Sequence, residues 1–354
     1  MAQYELNEKL LGNNQREKKR NRQLIFIGIL LFFTVIVFLL SVSIGSVNIG
    51  LENVIKIFVG GNIENSTYKP IVMNIRLPRA LATVIGGACL AISGLLLQIF
   101  FRNPIVEPYV LGVSSGATLF VGIVVLGGYT FGLKYVTPMF LFGGAFIGSM
   151  TVMLIVVFAT KKVKNITTLL IIGIMAGFIC SAMTSILVAF ADKEKITGYL
   201  MWTMGSFSGF SWTQVKYLYL IGTPFIAITF MISKPLNAML FGEKYAISMG
   251  LNIKVFRIII VLISSVLTAV ITAFAGPISF IGLAVPHMVR ITFATSDNKI
   301  LIPAVIISGA FMMCVCDLGA RMLLSPIELP LGAITSLIGA PIVLYLLLRK
   351  ENAL

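Results

Sequence analysis

Few side chains in this sequence could make or break a bond. There is one histidine, His287, and there are four cysteines, Cys89, Cys180, Cys314 and Cys316. Metal-assisted hydrolysis needs a cluster of ligands, and group transfer needs an acid pair or a nucleophile beside a base. No such constellation occurs. His287 stands beside Arg290 near the end of a short apolar run and reads as structural or coupling rather than catalytic. The cysteines all lie in apolar runs, and Cys314 and Cys316, two apart on a helical stretch, point in different directions. They read as small packing residues, with no metal ligands among them. No G-x-x-x-x-G-K-[ST] phosphate loop occurs, so energy for any uphill process must come from another chain. The expectation is a protein without an active site.

The residues with binding chemistry are arginines. In "NIRLPRALATVIGG", Arg76 and Arg79 stand with a proline at the mouth of a long apolar run. Arginine is costly in hydrocarbon and common at its edge. Arg321 stands at the end of another such run. Simple anchoring and the capture of an acidic partner both suit residues of this kind.

The elements that must position them are membrane spans. Of 354 residues, 58% are hydrophobic and only 11% are charged, far too few to cover a soluble domain. The formal charge of +14 is spread in short clusters between apolar runs, which suits loops at a membrane surface and not a nucleic-acid face. Apolar runs occur near 24–44, 80–101, 109–127, 138–160, 166–190, 214–233, 255–274, 300–316 and 329–348, with a shorter one at 277–290. Residues 1–23 form a polar, basic tail without a cleavage site, so the first run is read as a retained span. With ten spans and both termini inside, 18 of the 27 basic residues lie inside; if the short run does not cross, 15 do. The positive-inside rule prefers ten. Arg76, Arg79 and Arg321 then share the outer face against that trend, which favours a docking surface.

Breaks in the pattern carry further information. "FRNPIVEPYVLGVSSGA" is a tight turn assigned to the inner side, holding Asn103, Pro104, Glu107 and Pro108. "AFAGPISFIGLAVPHMVR" repeats the idea on the outer side with Gly276 and Pro277. Such paired breaks suggest an inverted internal repeat. Gly173 and Gly177 make a GxxxG that serves close helix packing or lines a pathway. Glu107, Asp317 and Glu328 are placed at span ends, leaving no acid in mid-span for an ion-coupled carrier. The inner stretch 234–257 has helical character between Leu236 and Met249, broken at Gly242 and Gly250. It suits a linking interfacial helix or one that inserts into a partner's groove.

Four long motifs together resemble one family, the permease subunits of type II ABC importers for iron chelates, haem and cobalamin (the FecCD/cobalamin-permease family). They are "RLPRALATVIGGACLAISGLLLQIFFRNPIVEPYVLGVSSGA", "FGEKYAISMGLNIK", "GPISFIGLAVPHMVR" and "CDLGARMLLSPIELPLGAITSLIGAPIVLYLLLRK". The resemblance covers nearly everything from residue 24 onward. It implies an all-α integral membrane protein of ten transmembrane helices with both termini cytoplasmic. The basic tail would be 1–23, the ten-helix permease domain 24–350, and the cytoplasmic coupling loop 234–254.

The resemblance also implies partners. The permease would pair with an identical copy or a paralogue in the bacterial cytoplasmic membrane. Two ATPase subunits would bind below, carrying the ATP and magnesium, so that this chain needs no cofactor. An extracellular binding protein would dock above, its glutamates meeting Arg76, Arg79 and Arg321. Asn237, Leu240, Gly242, Glu243, Ala246 and Gly250 match the family's coupling segment, with Met249 where leucine is commoner. The pathway would be lined by the fifth and tenth spans, which hold Gly173, Gly177, Gly332 and Gly339. Ferric siderophore is the expected cargo, haem or cobalamin the alternative, and a stand-alone ion-coupled carrier the remaining one.

Overall fold

The computed structural model describes residues 2–47, 49–61, 65–109, 111–127, 137–163 and 165–351. Lys164, one of the inner basic residues, and the outer connection at 128–136 lie outside the described residues. All regular structure described is helical. Hydrocarbon offers no partner to a backbone N–H or C=O, so each crossing segment must bond within itself.

The chain opens with α1 (Ala2–Ser43), in which the basic tail and the first apolar run form one helix. Two short helices follow, α2 (Leu51–Val59) and α3 (Tyr68–Ile71). A π-helical turn, Val72–Arg76, then leads without a break into α4 (Leu77–Phe101). Next come α5 (Val113–Gly127), α6 (Pro138–Lys162), α7 (Ile166–Ala189) and α8 (Lys193–Thr203). The inner segment is built from α9 (Trp212–Met231), α10 (Ser233–Leu240) and α11 (Glu243–Ser248). The chain ends with α12 (Ile253–Ala275), α13 (Ile281–Phe293), α14 (Asn298–Met322) and α15 (Leu331–Glu351).

Among the described residues six helical stretches are long and apolar enough to cross a membrane, and a seventh if α9 and α10, bent by 55°, count as one. Three shorter apolar helices are α5, α13 and α15. At ~1.5 Å per residue, the 13 residues of α13 reach about 20 Å, two-thirds of the hydrocarbon. The shortfall explains why its N-terminal end lies deep in the bundle.

The core centres on α4, which packs against α14, α12, α13 and α9. It is apolar on nearly every side, as a helix surrounded by others must be, and 23 of its 25 residues are buried. Small residues bring the neighbours close: a Cβ on Gly94 would collide with the Gly282 carbonyl of α13, and one on Gly87 with the Gly309 carbonyl of α14. Hydroxyls add bonds between the helices. Ser93 Oγ of α4 lies 2.6 Å from the Ser264 carbonyl and 2.8 Å from Thr268 Oγ1, both on α12.

Two polar ends result. Asn298 opens α14 at the end where Asn237 Oδ1 accepts from both its backbone and side-chain N–H groups, each at 2.8 Å. Asp317 and Arg321 lie at the other end of the same helix, close to Arg79 at the start of α4. The arginine cluster and the 234–254 segment therefore occupy opposite ends of the bundle, a helix length of ~35 Å apart.

Candidate docking, coupling and pathway sites

The first site forms where α1 ends, α4 begins and α14 ends. Arg76, held by the π-helical turn, reaches back to the last carbonyls of α1. Nη1 donates to the Val42 carbonyl at 3.2 Å and to that of Ser43, and Nη2 donates to the Val47 carbonyl. The Val42 and Ser43 carbonyls lack intrahelical partners at the C-terminus of α1, where a cation is also favoured by the helix dipole, and Val47 lies just beyond it. Arg79 sets Nε and Nη2 on Asp317 Oδ1, at 3.0 and 2.9 Å, and Nη1 on Glu328 Oε1 at 2.8 Å. Arg321 Nη2 lies 3.1 Å from Asp317 Oδ2, and its Nη1 donates to the Ser41 carbonyl at 3.1 Å.

The three arginines thus meet at one end, as their sequence positions suggest, but they do not form a free surface. They are 5, 7 and 9% exposed and committed to this chain's own carbonyls and carboxylates. A guanidinium near hydrocarbon must satisfy its five donors locally, which is what these contacts do. The sequence placed Asp317 and Glu328 at span ends but gave no sign that they were the arginines' partners. Within the cluster the accessible group is Glu328, its side chain 43% exposed against 1% for Asp317.

The second site is the 234–254 segment. Gly242, at φ +114°, separates α10 from α11, and Gly250, at φ +84°, ends α11. Both breaks fall where the sequence placed them, and both need the left-handed region that glycine tolerates. Other matched residues face inward. Ala246 is fully buried, Glu243 Oε1 accepts from Arg257 Nη2 at 2.6 Å, and Asn237 Nδ2 donates to Asp297 Oδ1 at 2.7 Å. They brace the segment, and Ala246 packs inside this chain. Outward the segment presents Lys234, Lys244, Ser248 and Lys254 together with four apolar side chains, Leu240, Phe241, Ile247 and Met249, with Phe241 three-quarters exposed. The ring of Tyr245 supports Phe241 at 5.3 Å between centroids. The sequence reading missed Phe241 and Ile247, which stand among other apolar residues of the segment and carry no distinguishing signal.

The third site lies inside the bundle. Glu107 is not a feature of an inner-side turn alone. It is buried, and its Oε2 accepts the Phe280 backbone N–H at 3.0 Å. Phe280 precedes α13 with φ +69°, a backbone region unfavourable to a bulky residue. The two Gly/Pro breaks that the sequence put on opposite sides are therefore in contact. Carboxylate at a helix N-terminus suits the helix dipole. The same 103–112 connection reaches α7, where Gly112 at φ +76° packs on Gly173 and Gly177. That GxxxG thus receives a loop glycine and not another helix. Gly339 of α15 packs on the Phe280 side chain, and the Gly332 N–H donates to the Met204 carbonyl at 3.3 Å. All four glycines in the pathway set make contacts within this chain.

Cys89, Cys314 and Cys316 are buried and unbridged, and Cys180 is half-buried and unbridged. Among the described residues no three metal-ligating side chains come together.

Comparison with known proteins places these sites in context. The model of the FecCD transport family matches residues 33–349. The hemin transport system permease protein HmuU of Yersinia pestis is 32% identical over 330 residues, covering 93% of this chain and 96% of that protein. The vitamin B12 import system permease protein BtuC of Vibrio parahaemolyticus is 34% identical over 349 residues, covering 98% and 99%. A solved metal-chelate type ABC transporter in an inward-facing conformation superposes with a TM-score of 0.81 at 27% identity, covering 92% of this chain and 99% of that one.

Proposed function

The chain belongs to the FecCD transport family, and from that premise we propose that it is the membrane-spanning permease of an ATP-driven importer for a metal chelate or a corrinoid. The observation that carries this reading is the family match, which runs through nearly the whole chain and includes all three sites. As a multi-pass protein of the cytoplasmic membrane it would form the wall of the conduit. On this reading the six long helices, the bent pair α9–α10 and the three shorter apolar helices would make ten crossings with both termini inside. ATP and magnesium would stay on separate ATPase subunits, and a second permease copy or a paralogue would complete the pathway.

Coupling on this reading is mechanical. The apolar knob formed by Leu240, Phe241, Ile247 and Met249 enters a cleft on the ATPase, and the Glu243–Arg257 and Asn237–Asp297 contacts pass its displacement to α12 and α14. Small shifts at such a contact become larger ones because packed helices move as units. Docking at the other end uses the arginine cluster indirectly. A carboxylate of an extracellular binding protein replaces the exposed Glu328 on Arg79, while Asp317 keeps the guanidinium in place. Arginine–carboxylate pairs fix orientation as well as attraction.

For cargo, a ferric siderophore is the first choice. Haem or cobalamin is the second reading, favoured by the names of the HmuU and BtuC relatives, which are similar to this chain to nearly the same extent. The test is uptake into proteoliposomes holding this permease with its cognate ATPase and binding protein. Ferric siderophore, haem and cobalamin are supplied in parallel. ATP-dependent accumulation of one of them is expected. Accumulation driven by an ion gradient without the ATPase would refute the proposal.

A further inference from the structure

The buried and partly buried arginines of this chain divide by their counter-charges. Arg79 and Arg321 pair with Asp317, and Arg257 pairs with Glu243. Arg76 has no carboxylate, but three backbone carbonyls take its donors; Arg290 has neither. It is partly buried near the end of α13, and its Nη1 donates to Gln98 Oε1 at 2.8 Å, a neutral partner. Gln98 is itself held by the Gly282 and Leu283 carbonyls, which accept from its Nε2 at 3.2 and 3.1 Å. The amide oxygen is thereby aimed at the guanidinium. Among the described residues no carboxylate lies within ion-pair distance of Arg290 or of Arg102.

Both arginines open onto one cavity of about 730 Å³ between the end of α4, α10 and α13. Its polar lining is Gln98, Arg102, Asn103, His287, Arg290 and Ser296; it holds two fixed positive charges and no acid. Arg290 is partly buried and Arg102 exposed; a partly buried cation without a counter-ion is costly, and two like charges on one cavity repel. An anion between them would remove both penalties. Guanidinium forks match phosphate oxygens, and the amide and hydroxyl groups of Asn103 and Ser296 can add donors.

We propose that this cavity binds a phosphate group, held by Arg290 and Arg102 and supplied by an anionic lipid headgroup or by free phosphate. The site adjoins Met239 and Leu240 of α10, so an occupant would brace the inner end of α4 against the segment that leads to Phe241.

The test uses the full-length chain in a zwitterionic detergent. Its melting midpoint is followed while sodium phosphate, at ionic strength matched with chloride, or short-chain phosphatidic acid is titrated in. The wild type should melt at a rising temperature with at least one probe. Arg290→Gln and Arg102→Gln should each raise the apparent Kd for that probe at least tenfold. Ser296→Asp, an exposed change that places a carboxylate at the cavity edge, should do the same and guards against a folding defect in Arg290→Gln. A response to phosphatidic acid alone assigns a lipid headgroup, and a response to phosphate alone or to both assigns a free phosphate group; each supports the site. A wild type indifferent to both probes leaves Arg290 to a partner's carboxylate and overturns the proposal. So does an unchanged Kd in Arg102→Gln and Ser296→Asp.

Discussion

Arg79 of α4 and Asp317 of α14, 238 residues apart, form a buried pair in which Asp317 Oδ1 lies 3.0 Å from Nε and 2.9 Å from Nη2. The same carboxylate also holds Arg321, one helical turn further on. One acid therefore bridges two guanidiniums and ties two central helices together at the end of the bundle opposite the 234–254 segment.

Asp317→Asn should be severely destabilising. It leaves two buried cations with a single remaining carboxylate, Glu328, and breaking a buried pair from one side costs about 3–5 kcal/mol. The chain in detergent should melt well below wild type. Arg79→Met and Arg321→Met combined with Asp317→Leu should recover part of the loss, since that apolar set leaves neither arginine's charge buried without its carboxylate. Equal melting temperatures for wild type and Asp317→Asn would show that the pair is not structural.

Glu328→Gln should leave the fold intact and strengthen docking. The Glu328 side chain is partly exposed, so its bond to Arg79 is worth only ~0–1 kcal/mol to stability. Removing its charge leaves Arg79 more open to a partner's acid. Affinity of the extracellular binding protein for the permease complex, measured by surface plasmon resonance, should rise several-fold. A fall in affinity would instead make Glu328 a direct contact and reverse the docking proposal.

Much of this architecture was legible in the sequence. Apolar runs marked the helices because hydrocarbon admits little else, and Gly242 and Gly250 marked breaks because each stands at positive φ. Residue spacing could not show which charges pair across the bundle. Arg79 finds Asp317 only because α4 and α14 pack along their lengths, and Glu107 finds Phe280 only because α13 is too short to start at the membrane surface. The arginines' buried partners and the Glu107–Phe280 contact were missed for that one reason: residues were placed by counting spans, and counting assigns sides without depth.

Phe241→Ala should impair coupling without harming the permease itself. The ring is three-quarters exposed and contributes little to the chain's own core, yet a buried aromatic anchor commonly dominates an interface. Uptake in proteoliposomes should fall at least tenfold while the ATPase continues to hydrolyse ATP. Gly242→Val should produce a similar defect by a different route, since φ +114° is strained for a branched residue. It should also lower the melting temperature, which Phe241→Ala should not. Normal transport in Phe241→Ala would move the coupling contact elsewhere.

Glu107 gives the sharpest separation of charge from shape. Its carboxylate accepts one backbone N–H at the entry to α13, and the 103–112 connection that carries it also presses Gly112 onto Gly173 and Gly177. The residue thus joins α13 to α7 through one short loop. Glu107→Gln keeps an acceptor oxygen of the same length, loses the charge and gains a buried NH2 group; the charge's interaction with a helix N-terminus is worth ~0.3–1 kcal/mol, up to ~2 where partly buried. Glu107→Leu also leaves the Phe280 N–H without its partner, adding a desolvation cost of ~1–3 kcal/mol. Melting temperatures should therefore fall in the order wild type, Gln, Leu. If the loop carries motion between α13 and α7, the uptake rate should fall in Glu107→Leu by more than its loss of folded protein explains. Equal stability in the Gln and Leu variants would mean that the hydrogen bond to Phe280 contributes nothing and that packing alone joins the two helices.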